Sequence, residues 1–458
     1  MAGIGFEIRK LLKKESYFGL IQAYTYAGII GAGPWILSIL GVQAIGFLSL
    51  AIVVPTFLIT QFQVSVTHMI AASLILTGIL QLAFTRYISD RLFEKRDDTV
   101  LPNFIGALFA VMVAAGAIGL AAAVFLFDGL GVVYRLLMLS GFIILSMIWI
   151  ATIFLSGMKQ YKQILWLFLV GYSISVLAAV VLRQFGLEGL LLGFVLGQFV
   201  LLTGMMVFTL RTYPSNRFIE FDFIKPGRMY LSLMGVGFLY NFGVWIDKYM
   251  FWYTAGAGQQ IIGPLNASLI YDLPIFLAYL SIIPGMAVFL VRMETDFVEY
   301  YDKFYDAVRE GGSLEQIEQL RDEMVHTIRQ GIFEIVKIQT IAVLVTFVAA
   351  PALLRLLGAS QLYQSLLYID VVSASTQVVL LGLLNVFFYL DKRRIVLLLT
   401  GIFVLLNIGL TALSLHWGPA YYGYGFALAV LITVLTGMAF LDRKLQTLEY
   451  ETFMLQRG

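Results

Sequence analysis

The chain has 458 residues, 60% of them hydrophobic and 13% charged, with a formal net charge of +2 and a mean hydropathy of +0.89. So little polar surface excludes a soluble protein of this size and predicts a polytopic membrane protein. The lack of cysteine excludes disulfides, iron–sulfur clusters and thiolate zinc sites, and the three histidines, His68, His326 and His416, lie too far apart in sequence to suggest a metal site. No metal and no cofactor is expected.

Residues 3–18 come first. Ile4, Ile8, Leu11 and Leu12 fall on one side of a helix, with Glu7, Arg9, Lys10, Lys13 and Lys14 around the rest. This is the pattern of a short amphipathic helix on the membrane surface, or of a charged N-terminal flank. It has no simple apolar core of the kind a cleavable signal needs.

Twelve spans follow, each long enough at about 1.5 Å per residue to cross roughly 30 Å of hydrocarbon. They are expected at 20–48, 55–87, 101–127, 131–157, 163–184, 187–211, 228–254, 263–291, 331–355, 361–390, 394–415 and 419–441. Gly31-Ala-Gly-Pro34 predicts a kink or break in the first, and Pro274 and Pro284 fall in the eighth. Lys and Arg crowd alternate connections, from Arg9–Lys14 through Arg86–Arg96, Lys159/Lys162, Arg211–Arg228, Arg292–Arg329 and Lys392–Arg394 to Arg443/Lys444. The other connections carry only Arg135, Arg183 and Arg355. The positive-inside rule then places both termini in the cytoplasm.

The sizeable polar insertion is 293–330. It breaks at Gly311-Gly312 and restarts at Ser313-Leu-Glu-Gln316, a capping-box pattern, so two short cytoplasmic helices are expected. With Phe297, Tyr301, Phe304 and many carboxylates they form either a docking surface or a solvated hairpin.

Spans one to six and seven to twelve read as two copies. Met158-Lys-Gln-Tyr-Lys162 before a span with Gly171 lines up with Leu390-Asp-Lys-Arg-Arg394 before a span with Gly401. Phe185-Gly-Leu-Glu-Gly-Leu190 opens span six as Tyr422-Gly-Tyr-Gly-Phe426 opens span twelve. The expected fold is all-α, with twelve transmembrane helices in two parallel six-helix bundles and a site between them. The divisions are a surface helix 1–18, a bundle 19–211, a cytoplasmic linker 212–227, a bundle 228–443 that includes the insertion, and a tail 444–458.

Ionisable residues inside spans are functional-site hypotheses by default. Asp247 and Lys248 are adjacent in the aromatic stretch 240–253, either as a snorkelling pair near a helix end or as a charge site lining a passage. Asn241, Trp245, Lys248 and Trp252 share one helical face, with Asp247 about 100° away in line with Tyr240. Asp272, beside Tyr271 and Pro274, and Asp370, on a stripe with Ser373 and Gln377, each lie about nine residues into a span, roughly 14 Å deep. Both could line a cavity; alternatively Asp370 makes a buried structural hydrogen bond and Asp272 ties up backbone groups freed by the proline. These charges are expected to gather in the second bundle, with Lys248 pairing one or more of the carboxylates. In the first bundle His68 shares a face with Gln61 and Ser65, as a satisfied core residue first and a proton site second. Trp149, Trp166 and Trp417 are assigned to the interfacial belt. The chain carries no Walker A sequence, nucleophile elbow or metal-type His/Glu cluster, so no enzymatic activity is expected.

The two six-span halves and their Gly-rich openings resemble the multidrug/oligosaccharidyl-lipid/polysaccharide (MOP) flippase superfamily. The start, Met1-Ala-Gly-Ile-Gly-Phe-Glu-Ile-Arg-Lys-Leu-Leu12, then Gly31-Ala-Gly-Pro-Trp35, Met293-Glu-Thr-Asp-Phe297 and Tyr240-Asn-Phe-Gly243 to Asp247-Lys248, is similar to the PelG family of inner-membrane transporters, over essentially the whole chain. That resemblance implies export of a growing N-acetylgalactosamine-rich exopolysaccharide across a bacterial inner membrane, in partnership with a cytosolic glycosyltransferase (PelF), a cyclic-di-GMP receptor (PelD) and a membrane scaffold (PelE). No nucleic acid is involved. Tyr240, Asn241, Trp245, Asp247, Lys248, Tyr271, Asp272, Asp370, Gln377 and His68 are then candidates for the substrate path. Arg9, Lys10, Lys13, Lys14, Phe297, Tyr301 and Phe304 are candidates for partner docking. The alternatives are an ion-coupled lipid-oligosaccharide or drug exchanger and a non-conducting scaffold for the synthase.

Overall fold

The computed structural model describes residues 17–50, 53, 55–227 and 229–454. The basic segment with Arg9, Lys10, Lys13 and Lys14 lies outside the described residues. Helices dominate, with one short β-hairpin, Gln259–Ile262 (β1) against Leu265–Ala267 (β2). The chain forms two compact units. One runs from Gly33 to Ser268; the other joins the chain up to Ala32 to everything from Leu269 onward.

The first unit holds most of α1 (Tyr17–Ser49), then α2 (Phe57–Phe93), α3 (Val100–Phe125), α4 (Val132–Gly157), α5 (Tyr161–Leu182), α6 (Gly186–Thr212) and α7 (Leu231–Tyr253). Its core is aromatic: Phe62, Phe84, Phe104, Phe154, Phe168 and Phe194 are all buried. Small residues bring the helices together, as expected where lipid offers no hydrophobic drive for association. In the α5–α6 hairpin a Cβ added at Gly193 would lie 2.3 Å from the Ala179 backbone, and one at Gly197 2.4 Å from the Ser175 backbone. The Ser175 hydroxyl there donates to the Phe194 carbonyl (3.2 Å) and accepts from Gln198 (3.3 Å).

The division into units cuts the chain differently from the expected halves, because glycines decide what packs where. Residues 228–254 were grouped with the second bundle, yet α7 lies in the first unit, against α2. A Cβ added at Gly237 would meet the Gly78 carbonyl oxygen at 2.1 Å, and one at Gly78 would meet the Gly237 oxygen at 2.6 Å. Likewise α1 is shared. Its early turns face α9 of the second unit, where a Cβ at Gly31 would come 2.7 Å from Leu290, whereas beyond the boundary Gly33 and Gly41 face Leu165 and Tyr172 of α5. Pro34 sits inside α1 next to that boundary, where the sequence predicts a kink.

The linker 212–227 is docked rather than free. Glu220 donates its backbone N–H to the Pro102 carbonyl (3.0 Å), and Asp222 donates its own to Asn103 Oδ1 (2.8 Å). Gly106 is required there, since a Cβ would sit 1.9 Å from the Glu220 carbonyl oxygen.

The second unit continues with α8 (Leu269–Leu280), α9 (Ile283–Val291), a π-helical turn Arg292–Phe297, α10 (Val298–Glu310), α11 (Leu314–Leu356), α12 (Gln364–Tyr389), α13 (Arg393–Trp417), α14 (Tyr424–Gln446) and α15 (Leu448–Met454). The expected eighth span is therefore broken ahead of Pro284. Gln339 of α11 repairs the break: its Oε1 accepts the Gly285 N–H (3.1 Å) and its Nε2 donates to Ser375 of α12 (3.1 Å). The capping box holds, with Gly311 at φ +77° ending α10 and Ser313 Oγ accepting from the Gln316 N–H at 3.3 Å. The two short insertion helices are not separate elements, however. The first continues α9 through the π-helical turn, and the second is the start of the 43-residue α11, which also contains the ninth span. The tail also folds. Leu448 is buried, and Glu451 takes Lys392 and Lys444, each at 2.5 Å.

Among the described residues nine helices are long and apolar enough to cross a membrane, or ten if the bent pair Gln22–Pro34 and Ile36–Ser49 is one span. One of the nine, Tyr161–Thr212, contains both α5 and α6, and α7 is not among them. Length and composition alone thus do not establish twelve.

Gly78→Val should cost about 1–3 kcal/mol by forcing α2 off α7, read as a lowered thermal midpoint in detergent. Gly401→Ala, with open space at its Cβ, should be close to neutral. Burial pushes the Glu451 carboxyl up, but the ammonium groups of Lys392 and Lys444 outweigh it and hold it below the usual carboxylate range. A group so depressed stabilises the fold above its unfolded pKa and loses that contribution as pH falls through its folded one. Hydrogen exchange over residues 448–454 should accelerate on acidification through that window, and Glu451→Gln should give the same acceleration at neutral pH.

Candidate functional site

In the first unit the candidate residues gather where α7 lies on α2. Asp247 is fully buried and Lys248 is 4% exposed, so the pair does not snorkel. The Lys248 ammonium reaches Asp247 Oδ2 at 3.1 Å and donates to the Val244 carbonyl at 2.8 Å. The expected partner from span eight or ten is thus replaced by the neighbouring carboxylate. Two adjacent charges that neutralise each other can be buried in protein where either alone could not.

An aromatic cluster surrounds one end of this contact. The His68 ring lies 4.3 Å from Trp252, which in turn lies 4.9 Å from Tyr249 and 6.3 Å from Trp245. His68 Nδ1 donates to the Val64 carbonyl at 2.9 Å, which leaves Nε2 as the acceptor nitrogen of a neutral ring. That atom is buried without a hydrogen-bond partner. On the same face Asn241 donates to the Gly237 carbonyl at 2.9 Å, beside Gly78. The face Asn241–Trp245–Lys248–Trp252 is therefore turned toward α2. Tyr240 and Trp245 stay half-buried. Gln61 and Ser65, on the stripe with His68, bond elsewhere: Gln61 to the Ile261 carbonyl (3.1 Å) and Ser65 with Tyr134 (2.8 Å).

The second unit holds the other carboxylates. Asp370 is fully buried on α12, and its Oδ1 would be 3.0 Å from a Cβ at Gly423, the N-cap of α14. A carboxylate at the positive end of a helix is stabilised by it, which favours the structural reading of Asp370. Asp272 occupies the first turn of α8 and is half-buried. Tyr271 beside it is fully buried, and Gln377 accepts from the Tyr279 hydroxyl at 3.0 Å. Asp247 and Lys248 belong to the other unit, so these charges do not share one bundle.

Of the expected docking aromatics, Phe297 and Phe304 are fully buried and Tyr301 packs on Tyr389 (5.5 Å). Their apolar faces are spent inside the fold, which removes Phe297 and Phe304 from any docking surface. Trp149 is also not a belt residue, for it donates to Ser73 across α2 and α4 at 2.8 Å, whereas Trp166 and Trp417 are exposed. Sequence reasoning missed Gln339 and the half-buried network at the π-helical turn. There Arg292 bonds Glu334 (2.5 and 2.9 Å) and Asp296 (2.5 Å), while Glu294 accepts from Asn385 and Tyr389 (3.1 Å each). The signal was present in the charged run Arg292–Asp296 directly after an apolar span.

The model of a single family, "PelG: Putative exopolysaccharide Exporter (EPS-E)", matches residues 1–453. No curated protein matches the chain. Among solved structures, an outward-facing multidrug resistance MATE family transporter of the MOP superfamily superposes with a TM-score of 0.62 at 14% identity, covering 93% of this chain and 96% of its own. A MOP superfamily transporter from Pyrococcus furiosus, described as having a binding pocket of reverse polarity, gives 0.62 at 14% identity over 98% and 97%. A MATE complex with MaL6 gives 0.63 at 14% identity over 93% and 97%. At such identity the likeness shows the fold: a MOP-type multi-pass transporter architecture.

Asp247→Ala strands a buried ammonium and should cost about 3–5 kcal/mol, read as a lowered thermal midpoint and yield in detergent. Asp247→Ala combined with Lys248→Met should recover most of the loss.

Proposed function

We propose that this chain, which belongs to the PelG exopolysaccharide-exporter family, carries a growing N-acetylgalactosamine-rich polymer across the bacterial cytoplasmic membrane as a cytosolic glycosyltransferase extends it. The observation that carries this reading is the family match over residues 1–453, together with a transporter fold. Both termini lie in the cytoplasm by the distribution of Lys and Arg.

The polymer path is proposed to use the half-buried polar and aromatic side chains Tyr240, Trp245 and Asp272. The buried groups Asp247, Lys248, Tyr271, Asp370, Gln377, Asn241 and His68 serve as its frame. An aromatic face can stack on a sugar ring while neighbouring amides and carboxylates take its hydroxyls. The partners proposed are a glycosyltransferase of the PelF kind, a cyclic-di-GMP receptor of the PelD kind and a scaffold of the PelE kind. They would meet the exposed side of α10 and the start of α11, where Asp302, Asp306, Leu314 and Glu318 face outward, and the basic N-terminal segment.

In a bacterium dependent on this gene for surface polymer, Tyr240→Ala combined with Trp245→Ala should lower surface polysaccharide several-fold while membrane levels of the protein stay normal. Unchanged polymer would remove these side chains from the path. Loss of polymer on deletion of the gene, restored by the wild-type chain, tests the export function itself.

A further inference from the structure

A groove of 530 Å³ in the first unit is lined by the end of α1 and the start of α2, and none of the residues lining it ionises. Its walls are two helical stripes. Gln43, Phe47 and Leu50 follow one another at i, i+4 and i+7 on α1; Thr56, Thr60 and Gln63 do the same where α2 begins. The floor is a cross-link, with Gln63 Nε2 donating to Gln43 Oε1 at 3.0 Å. Gly46 makes room for it, since a Cβ there would stand 2.8 Å from Gln63 Nε2. Phe47, 75% exposed, and Phe57, 54% exposed, flank the opening.

The position of the amides is the telling feature. Gln43 lies six residues before the end of α1 at Ser49, and Gln63 six residues after the start of α2 at Phe57, about 9 Å along each helix. The mutual bond satisfies one group on each side chain, leaving the Gln43 NH₂ and the Gln63 carbonyl for another partner. An exposed amide against hydrocarbon at that depth would be costly, so the groove is a wet surface and not a lipid-facing one. Uncharged amides and hydroxyls with aromatic rings at the rim suit a neutral, polyhydroxylated ligand: apolar ring faces lie on Phe, and hydroxyl or acetamido groups bond the glutamines. The volume falls within the roughly 300–1,000 Å³ of small-ligand sites.

We infer that this groove is a subsite for one or two neutral sugar residues, N-acetylated hexosamines included, of the exported polymer. The inference rests on the exporter reading and adds a location and a selectivity to it: Gln43 and Gln63 bind the polar groups, Phe47 and Phe57 stack, and the absence of ionisable lining groups selects against uronate-rich chains.

The test uses the full-length protein in lipid nanodiscs and titration calorimetry with a tetramer of N-acetylgalactosamine, with tetragalacturonate as the anionic comparison. Wild type should bind the neutral tetramer and reject the anionic one. Gln63→Ala and Phe57→Ala should each weaken binding by about fivefold or more, and Phe57→Trp should keep it, all with an unchanged thermal midpoint. Equal binding of both tetramers, no binding by wild type, or wild-type affinity in both alanine variants would overturn the subsite. Export in cells separates the two claims. A subsite that fails while the chain still restores surface polymer to a deletion strain leaves the exporter reading standing; a chain that does not restore polymer removes the exporter reading instead.

Discussion

The contact on which the first unit depends is backbone against backbone. At Gly78 and Gly237 two helices approach so closely that neither position can carry a side chain without displacing the other's carbonyl. In lipid, where apolar side chains gain nothing by leaving one hydrocarbon for another, such approach is what draws helices together. It fixes α7 on α2, and from this follow the burial of Asp247 and Lys248 and the stacking of Trp252 on His68. A charged doublet that would be prohibitive on an isolated span becomes tolerable because the helix is clasped along its length.

The same economy governs the polar groups elsewhere. Each break in a helix has a nearby side chain that answers it. Gln339 takes the amide exposed at the start of α9, and Ser313 takes one at the start of α11. Asp370 lies at the N-terminus of α14. Water cannot serve these groups inside a bilayer, so the protein must. Polar residues at membrane depth are therefore of two kinds in this chain, those that repair the backbone and those that face a wet surface. Hydropathy cannot separate them; the position of the nearest break can.

That distinction marks what the sequence makes legible. The class of protein, the break near Pro34 and the cap at Ser313 follow from composition and local chemistry, which act over a few residues. The docking face of each helix does not. Phe297 and Phe304 look like surface aromatics in a charged insertion, but they are core because α10 turns them inward against α11 and α12. Trp149 has the composition of a belt residue and is instead a donor to Ser73. In a membrane protein the lipid side and the protein side of a helix are equally apolar, so the periodicity that reveals a buried face in water is weak. The α2–α7 pairing was within reach only through the glycines, and a glycine in a span signals close approach without naming its partner. The candidate residues were found as residues, while their grouping into two separate sets depended on long-range packing.

One further property follows from α11. It is an unbroken helix of 43 residues from Leu314 to Leu356, about 65 Å long, and it begins among the charged residues of the insertion and ends beyond the apolar ones. Two jointed pieces would let a displacement at one end be absorbed at the joint. A single rod does not: a protein that pushes or holds its first turns shifts the far end as well, through the hydrogen bonds of one continuous ladder. The insertion is thus mechanically in series with a lipid-facing helix, and work done by a bound enzyme on the cytoplasmic end has a stiff route into the membrane domain.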